Sequence, residues 1–286
     1  MSRGDGDGWV TLPDGSERWG IYGAAGVLLN TPGSDGETPH VLLQHRAAWT
    51  HQGDTWGMPG GALDSGESSV DGALREFGEE VAGDLGPIDV SAVHRAARGT
   101  WHYDTVLARS RTMRPFANKN AESREIRWVP VDRVGELPLL PAFGEIWPLL
   151  RGALSARLDL VVDADAVLAR SGGSGEEAVA ELRDALAGLA GAGVPGDVLP
   201  DHLALPPLHL WFPRVHLVTD ADVEPAPGVT IARGTASADA AGAARSPGGR
   251  AVLAVTDRAG RAGRAGTAPP EWLLEKAGLE PLVHCA

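Results

Sequence analysis

Cysteine is nearly absent from this chain: the 286 residues include one, Cys285, which is next to last. A single cysteine cannot form an intramolecular disulfide, so nothing in the sequence indicates an oxidising compartment. Long hydrophobic runs are also missing, because no stretch approaches the roughly 20 apolar residues that a membrane-spanning helix needs. The start of the chain has no apolar segment behind a basic end, and we therefore expect no secretory signal and a cytoplasmic location.

Positive charge is in short supply as well. The chain has 25 Lys and Arg against 38 Asp and Glu, a net charge of −13. This balance argues against broad nucleic-acid binding, whose affinity depends on cationic contacts to phosphate. It does not exclude a nucleotide ligand, because a bound divalent cation reverses the local sign of the charge. The length and a hydrophobic content of 43% predict two domains with substantial cores rather than disorder.

The most specific feature is a spaced pattern of glycine, arginine and glutamate. Gly61 is followed after five residues by Glu67 and, after seven more, by the run Arg75-Glu76-Phe77-Gly78-Glu79-Glu80. The pattern holds glycine and charged positions in register over twenty residues. A short glycine motif is far less specific.

A helix is predicted from 68 to 81, the stretch that carries most of this pattern. Apolar residues recur there at steps of three and four, the period of one helix face. Ser68 or Ser69 is placed to cap the start, and Gly83 is placed where a left-handed terminator is expected. The predicted apolar face consists of Val70, Ala73, Leu74, Phe77 and Val81.

Three carboxylates share another face of this predicted helix. Glu76, Glu79 and Glu80 stand at positions i, i+3 and i+4, where like charges repel, and Arg75 alone cannot neutralise them. Such a cluster is expected to bind divalent cations, and ligands that are all oxygen favour Mg²⁺ or Mn²⁺ over zinc. The alternative is a solvated acidic face, which is what most isolated charge runs are.

These residues resemble the Nudix box, the signature of hydrolases that cleave nucleoside diphosphates linked to another group. The resemblance implies a Nudix fold, a mixed sheet between helices, in which the box forms a loop–helix–loop that holds Mg²⁺. The implied metal ligands are the carboxylates of Glu76, Glu79 and Glu80 and the carbonyl of Gly60.

The resemblance also implies catalytic roles for Glu79, for Arg75, which would orient a glutamate, and for Glu67, which would support the loop. One departure concerns Ala82, where the family usually has glycine, and it predicts a helix that continues one residue further. The strands expected around the box are Ala24–Leu29, Val41–Gln44, Thr105–Ala108 and Ile126–Val129.

The general base and the substrate contacts are less specific. Glu125 and Glu122 precede the Ile126 strand, and either carboxylate could face the metals, with a surface charge pair as the alternative. Arg46 ends a strand beside His45 and is a candidate phosphate contact. The polar-tipped aromatics suited to stacking on a nucleobase, unless they serve only packing, are Trp49, Trp101, His102 and Tyr103.

The second half is predicted to be a small parallel α/β domain, with domains at 1–155 and 156–286. A buried strand at Leu158–Asp163, an amphipathic helix at Glu176–Leu189 and strands at Val215–Val218 and Ala251–Val255 alternate along it. The arrangement faintly resembles the PIN-like nuclease fold, in which aspartates cluster around metal. The candidates, for which a structural role is the alternative, are Asp163, Asp165, Asp239 and Asp257.

The leading interpretation is a Mg²⁺-dependent nucleotide pyrophosphohydrolase. Its expected substrate is a nucleoside triphosphate, ordinary or oxidised, or a sugar nucleotide such as ADP-ribose, with neither nucleic acid nor membrane as a partner. A non-catalytic nucleotide sensor and a nuclease acting from the second half are the alternatives. The oligomeric state stays open, with a homodimer as one option.

Overall fold

The computed structural model of the protein describes residues 4–33, 36, 38–234, 250–257, 266–277 and 279. The chain divides into two compact units, Met1–Leu154 and Ser155–Ala286. Cys285 and Asp239 lie outside the described residues. No helix in the described ranges is both long enough and apolar enough to cross a membrane.

The first unit combines strands with two α-helices, α1 (Ser69–Glu80) and α2 (Pro141–Ala153), and a 3₁₀ turn at Val134–Glu136. Its strands are β1 (Trp9–Thr11), β2 (Glu17–Trp19), β3 (Ala24–Pro32), β4 (Pro39–Arg46), β5 (Trp56–Gly57), β6 (Gly60–Ala62), β7 (Val81–Ala82), β8 (Ile88–Arg98), β9 (Trp101–Ser110), β10 (Ala117–Asn118) and β11 (Ser123–Pro130).

A mixed sheet forms the centre of this unit, as predicted. Its strands run in the order β11-β4-β3-β9-β8, with β3 parallel to β9 and the other pairs antiparallel. Strand β3 is buried from Ala24 to Thr31 because its apolar run faces packed side chains on both sides. Helix α1 packs against β3, β6 and β9. All four strands expected around the box are confirmed.

Strand β3 changes partner along its length. Its second half pairs with β4, where Asn30 lies opposite Val41, and its first half pairs with β6, where Gly26 lies opposite Gly60. The box glycines therefore enter the sheet directly beneath α1. This switch of partner sets the distance between the glycine turn and the helical glutamates.

Helix α1 begins at Ser69, and its cap is the predicted Ser68, whose hydroxyl accepts a hydrogen bond from the Asp71 amide at 3.1 Å. The predicted end is wrong. The helix stops at Glu80, because the next two residues become β7 and pair with β10. Gly83 has φ of +137°, outside the left-handed helical region, so it does not act as the cap.

Of the predicted apolar face of α1, Ala73, Phe77 and Val81 are buried, whereas Val70 and Leu74 are half-buried. Phe77 meets the ring of Phe116 edge to face, with centroids 5.6 Å apart. The helix is thus anchored mainly through its second half.

A buried carboxylate anchors the first turn of α1. Asp104, on β9, is fully buried and accepts two hydrogen bonds from Arg95, at 2.8 and 2.7 Å, and one from the Ser69 hydroxyl. Burial by itself would raise the pKa of Asp104, but the hydrogen bonds from Arg95 and Ser69 outweigh it and the pKa is lowered. The β8–β9 hairpin is thereby tied to the start of α1.

The second unit is a parallel α/β arrangement, as predicted. Its sheet has the order β16-β15-β12-β17-β18, with every described pair parallel. Its elements are β12 (Arg157–Asp163), α3 (Ala164–Ser171), α4 (Gly175–Ala192), β13 (Val194–Pro195), β14 (Leu210–Trp211), β15 (Arg214–Val218), β16 (Val229–Ala232), β17 (Arg250–Val255) and β18 (Gly266–Ala268), with 3₁₀ turns at Gly196–Val198 and Asp201–Leu203 and a π-helical turn at Trp272–Lys276.

The predicted cluster of aspartates does not form among the described residues of this unit. One oxygen of Asp163 caps α3 by accepting from the Ala166 amide at 3.2 Å, and the other accepts from the Thr256 hydroxyl at 3.1 Å. Asp165 and Asp257 are exposed, and no metal-binding group of three acidic, His or Cys side chains occurs in the described residues. The strand-end acid Asp163 therefore acts as a helix cap.

Replacing Asp104 with Asn should lower the free energy of unfolding by about 3 kcal/mol, because Arg95 loses its ionic partner beside a buried position. Urea unfolding measures the loss. Glu145→Gln is a matched control, since its pair with Arg98 is 4.0 Å long and both side chains are mostly exposed. The control should cost less than about 0.5 kcal/mol, and equal losses would contradict the anchoring role.

Candidate metal and nucleotide site

Arg75 lies at the centre of the acidic cluster. Its Nε and Nη2 donate to the two carboxylate oxygens of Glu67 at 2.9 and 3.0 Å, and its Nη1 donates to Glu76 at 2.8 Å. Nη1 is also 3.6 Å from Glu79, and Nη2 reaches the Ala62 carbonyl at 2.7 Å. These bonds raise the pKa of Arg75, with Glu67 as the largest cause. One guanidinium therefore orients two glutamates and approaches a third.

Glu67 is held from two sides. Besides Arg75, the Asp64 amide donates to its Oε2 at 3.0 Å, which closes the turn before α1. The bond from Arg75 is the main reason that the pKa of Glu67 is lowered. These hydrogen bonds join Glu67 to the turn before α1 and to the helix itself, and the supporting role that the resemblance implies stays a prediction.

Gly61 is required by the position of Glu76. A Cβ added at Gly61 would collide with the Glu76 carboxylate, so a larger residue there would displace that side chain from its present position. The Glu76 side chain is half-buried, and burial raises its pKa although Arg75 acts in the opposite direction. The register between the glycine and the helix thus has a steric cause.

Glu80 is the most deeply buried of the three helical glutamates, with 5% of its surface exposed. The Gly60 amide donates to its Oε2 at 2.9 Å. Burial nevertheless raises the pKa of Glu80 to about 7. The expected involvement of Gly60 is through its carbonyl, whereas the contact present is through its N–H group.

A polar pocket surrounds Glu80. The Gln44 side chain is buried and its Nε2 is 2.6 Å from the Ser123 hydroxyl, while its Oε1 has no hydrogen-bond partner among the described residues. A hydrogen bond from Gln44 nonetheless lowers the pKa of Glu80. The charge of Glu122 raises the pKa of Glu80 further.

The donor set suits a hard divalent cation. Glu76, Glu79 and Glu80 supply only carboxylate oxygens, and burial raises the pKa of the first and the last, so the protein alone does not compensate their charge. Arg75 donates a hydrogen bond to Glu76, and the Gly60 amide donates one to Glu80. In this arrangement, no three acidic, His or Cys side chains in the described ranges form a metal-ligating group. The side chain of Glu79 is the most accessible, at 42%.

The predicted base-stacking aromatics occupy different environments. Trp101, His102 and Tyr103 lie on β9 rather than in loops. The Trp101 indole donates to the Gly20 carbonyl at 3.1 Å, and the Tyr103 hydroxyl lies against Gly26. Trp49 is 70% exposed in the turn after β4. The structure does not bring these side chains together around one space.

Arg46 and Glu125 lie on neighbouring strands. Arg46 ends β4 as predicted and donates to the His51 carbonyl at 3.3 Å. The ring of His45 stacks on Trp56, with centroids 4.7 Å apart. Glu125 lies within β11, not before it, and its carboxylate is 3.6 Å from Arg127. Of the two acids expected to face the metals, Glu122 is the one whose charge acts on Glu80.

Three residues that organise the site are not among the sequence candidates. Asp64 aligns the turn before α1, Gln44 lines the Glu80 pocket and Asp104 anchors the helix start. Two of them could have been found from the sequence, because Gln44 and Asp104 are polar residues that adjoin apolar strand runs. Asp64 has none, because a loop aspartate near glycine is ordinary turn chemistry.

Comparison with known proteins places this geometry in a family. A family model described as the NUDIX domain matches residues 22–150. The putative 8-oxo-dGTP diphosphatase 3 of Mycobacterium tuberculosis is 47% identical over 157 residues, which cover 53% of this chain and 71% of that protein. The nucleoside triphosphate pyrophosphatase/Nudix hydrolase fusion protein of Bifidobacterium longum is 45% identical over 166 residues, covering 56% of this chain and 33% of that protein.

A crystal structure of a Nudix hydrolase from M. smegmatis, RenU, is 41% identical to the matched part, with a TM-score of 0.48, and the match covers 51% of this chain and 94% of that one. The identity and coverage of the M. tuberculosis relative show that the chain belongs to the Nudix hydrolase family. The resemblance of its box is confirmed, and the chain is a Nudix hydrolase.

Without divalent cations, the protein should lose stability as the pH rises from 5 to 8. Glu80 has a pKa of about 7 in the folded protein against an ordinary value of 4.5, so the folded chain binds the extra proton between these values. Stability is therefore greatest below the lower value and falls by about 3 kcal/mol as the pH passes the higher one. Urea unfolding in EDTA measures this slope.

Glu80→Gln should flatten the slope, because the group no longer titrates. Glu136→Gln is the control, since that glutamate is exposed beside Arg133 and should leave the slope unchanged. A Glu80→Gln variant with the wild-type pH dependence would show that Glu80 is ionised throughout this range.

Proposed function

We propose that the protein is a Mg²⁺-dependent nucleotide pyrophosphohydrolase, with Mn²⁺ as a substitute. In the proposed reaction, water attacks a phosphorus atom of a nucleoside triphosphate and the diphosphate bond breaks. The observation that supports this most directly is a set of three acids on one helix, with Glu76 and Glu79 beside the Arg75 guanidinium and Glu80 buried against the Gly60 amide. Burial raises the pKa of Glu76 and of Glu80.

The three helical glutamates would hold the cation, with the carbonyl of Gly60 as a further ligand. When bound, Mg²⁺ neutralises charge that develops on the phosphates and makes hydroxide available near neutral pH. Arg75 keeps Glu76 pointed into the site, and Glu67 keeps Arg75 in place through two hydrogen bonds.

We assign the general base to Glu122 in preference to Glu125. Its charge acts on Glu80, and its backbone carbonyl accepts from the Ala47 amide at 2.8 Å, which joins its loop to the end of β4. A carboxylate at this place can take a proton from a water molecule near the phosphates. Glu125 instead approaches the guanidinium of Arg127.

The substrate class follows from the phosphate chemistry and the relatives. The M. tuberculosis relative is named an 8-oxo-dGTP diphosphatase and the B. longum relative a nucleoside triphosphate pyrophosphatase. We propose a nucleoside triphosphate, ordinary or oxidised, in preference to a sugar nucleotide such as ADP-ribose. The products would be a nucleoside monophosphate and pyrophosphate.

Glu79→Gln should reduce kcat for nucleoside triphosphates at least about 100-fold, because a charge aimed at the transition state is lost. Pyrophosphate release with Mg²⁺ is the assay for GTP, ATP and 8-oxo-dGTP, and formation of AMP is the assay for ADP-ribose. EDTA should abolish activity, and Mg²⁺ or Mn²⁺ should restore it. Glu136→Gln, on the surface, should retain wild-type rates.

Two results would contradict the proposal. Turnover that survives EDTA would exclude the metal. If wild type and Glu79→Gln both bind nucleotide and neither hydrolyses any substrate, the protein is a non-catalytic sensor.

Glu122→Gln should lower kcat by about 100-fold or more with little change in KM, because a general base acts on the chemical step. Glu125→Gln should have the smaller effect, since its carboxylate pairs with Arg127. The pH–rate profile checks the assignment, because loss of the base removes the acidic limb. A larger loss in Glu125→Gln would transfer the role to that residue.

A further inference from the structure

The β1–β2 hairpin exposes an aromatic face. Trp9 pairs with Trp19 across the hairpin and Thr11 pairs with Glu17, and since side chains alternate along strands, these four lie on the same face. Trp9 is 53% exposed and Trp19 is 37% exposed. Exposed tryptophans that cluster commonly mark a binding surface.

This face forms one wall of a groove. Trp9 meets Trp19 edge to face, with centroids 5.4 Å apart, and meets His51 in the same way at 5.8 Å. His51 belongs to the turn after β4. We name this space the hairpin groove, and the side chains that line it include Trp9, Thr11, Glu17, Arg18, His51 and Gln52.

The groove is linked to the metal site by the chain before β1. The Gly6 amide donates to Asp64 at 3.0 Å, and the other Asp64 oxygen is 4.0 Å from Arg75. The charge of Asp7 also raises the pKa of Glu76. Trp9, the first residue of β1, follows Asp7 by two residues, so the segment whose charge acts on Glu76 leads directly into the hairpin.

A second link runs through β4. Arg46, at the end of that strand, donates to the His51 carbonyl at 3.3 Å, so the wall of the groove opposite the hairpin is joined to a candidate phosphate contact. Its positive charge also acts on Tyr103, which in turn interacts with Glu80. The contact that joins the segment before the hairpin groove to the acidic cluster is thus the one from Gly6 through Asp64 to Arg75.

We propose that the hairpin groove binds the nucleobase of the substrate and selects a guanine-type base; this rests on the proposed function. The exposed ring of Trp9 is the stacking surface. Glu17 is the specificity residue, because a carboxylate accepts hydrogen bonds and the pairing edge of guanine carries a ring N–H beside an amino group. Arg18 donates to the Glu17 carbonyl at 2.8 Å and leaves that carboxylate free for the base.

In this proposal, the base stacks on Trp9 and not on Trp101 or Tyr103. The Trp101 indole already donates to the Gly20 carbonyl, and the half-buried Tyr103 has its hydroxyl against Gly26. Trp101 instead supports the turn that follows β2, which makes it a positioning residue for the hairpin.

Steady-state kinetics with Mg²⁺ on GTP and ATP test the proposal. Trp9→Ala should raise KM for both about tenfold with kcat unchanged, because stacking tolerates any base. Trp9→Phe should recover most of the loss, which separates stacking from folding. Glu17→Gln should raise KM about tenfold for GTP alone. Tyr22→Ala removes an aromatic side chain that is 47% exposed elsewhere in this unit and should change neither constant.

An unchanged KM in Trp9→Ala, or a fall in kcat at constant KM, would overturn the proposal while leaving the hydrolase intact. Should the wild type hydrolyse no nucleotide, the proposed function fails on its own. Calorimetry with GMP and AMP in EDTA then decides about the groove. The groove proposal is sustained if Trp9→Ala binds GMP more weakly than the wild type does and the wild type prefers GMP over AMP. Equal GMP binding by the two proteins refutes it.

Discussion

One guanidinium among several carboxylates is the interaction on which the candidate active site depends. Arg75 binds Glu67 with two hydrogen bonds and Glu76 with one, and it lies 3.6 Å from Glu79. Without this charge, acids at adjacent helical positions would repel one another and turn towards solvent. Because Arg75 satisfies the supporting glutamate first, the remaining negative charge is left for a cation. This uncompensated charge is the basis of the proposed cation site.

The fold supports this arrangement through features that are far apart in the chain. Strand β3 gives half of its length to β6, which brings Gly60 and Gly61 beneath α1. Asp104 on β9 holds the first turn of the helix through Ser69. The helix is thus positioned at its start by a buried ion pair and farther along by the packing of Phe77. Burial raises the pKa of Glu80, and the same burial increases the electrostatic gain from binding a cation.

The two units differ in what can be concluded from them. In the first, spacing, geometry and the relatives all point to the same chemistry. In the second, the parallel sheet is present as predicted, but Asp163, the acid at the end of its central strand, is committed to capping α3 and to Thr256. A carboxylate at a strand end is as well suited to starting the next helix as to binding a ligand. The surroundings of the carboxylate decide which role it takes, and residues distant in the sequence form those surroundings.

The box and its helix could be identified from the residues alone, because helical periodicity and charge spacing are local properties that twenty residues express completely. Strands with a clear apolar run were equally legible, since such a run needs no partner to be recognised, but β8, β16 and β18 were not predicted. The end of α1 at Glu80 was not, because it results from β7 pairing with β10, and pairing between distant segments leaves no local signal. The roles of Gln44 and Asp104 and the ring contact between Trp9 and His51 leave no local signal either. These contacts join residues far apart in sequence, and only the folded chain brings them together.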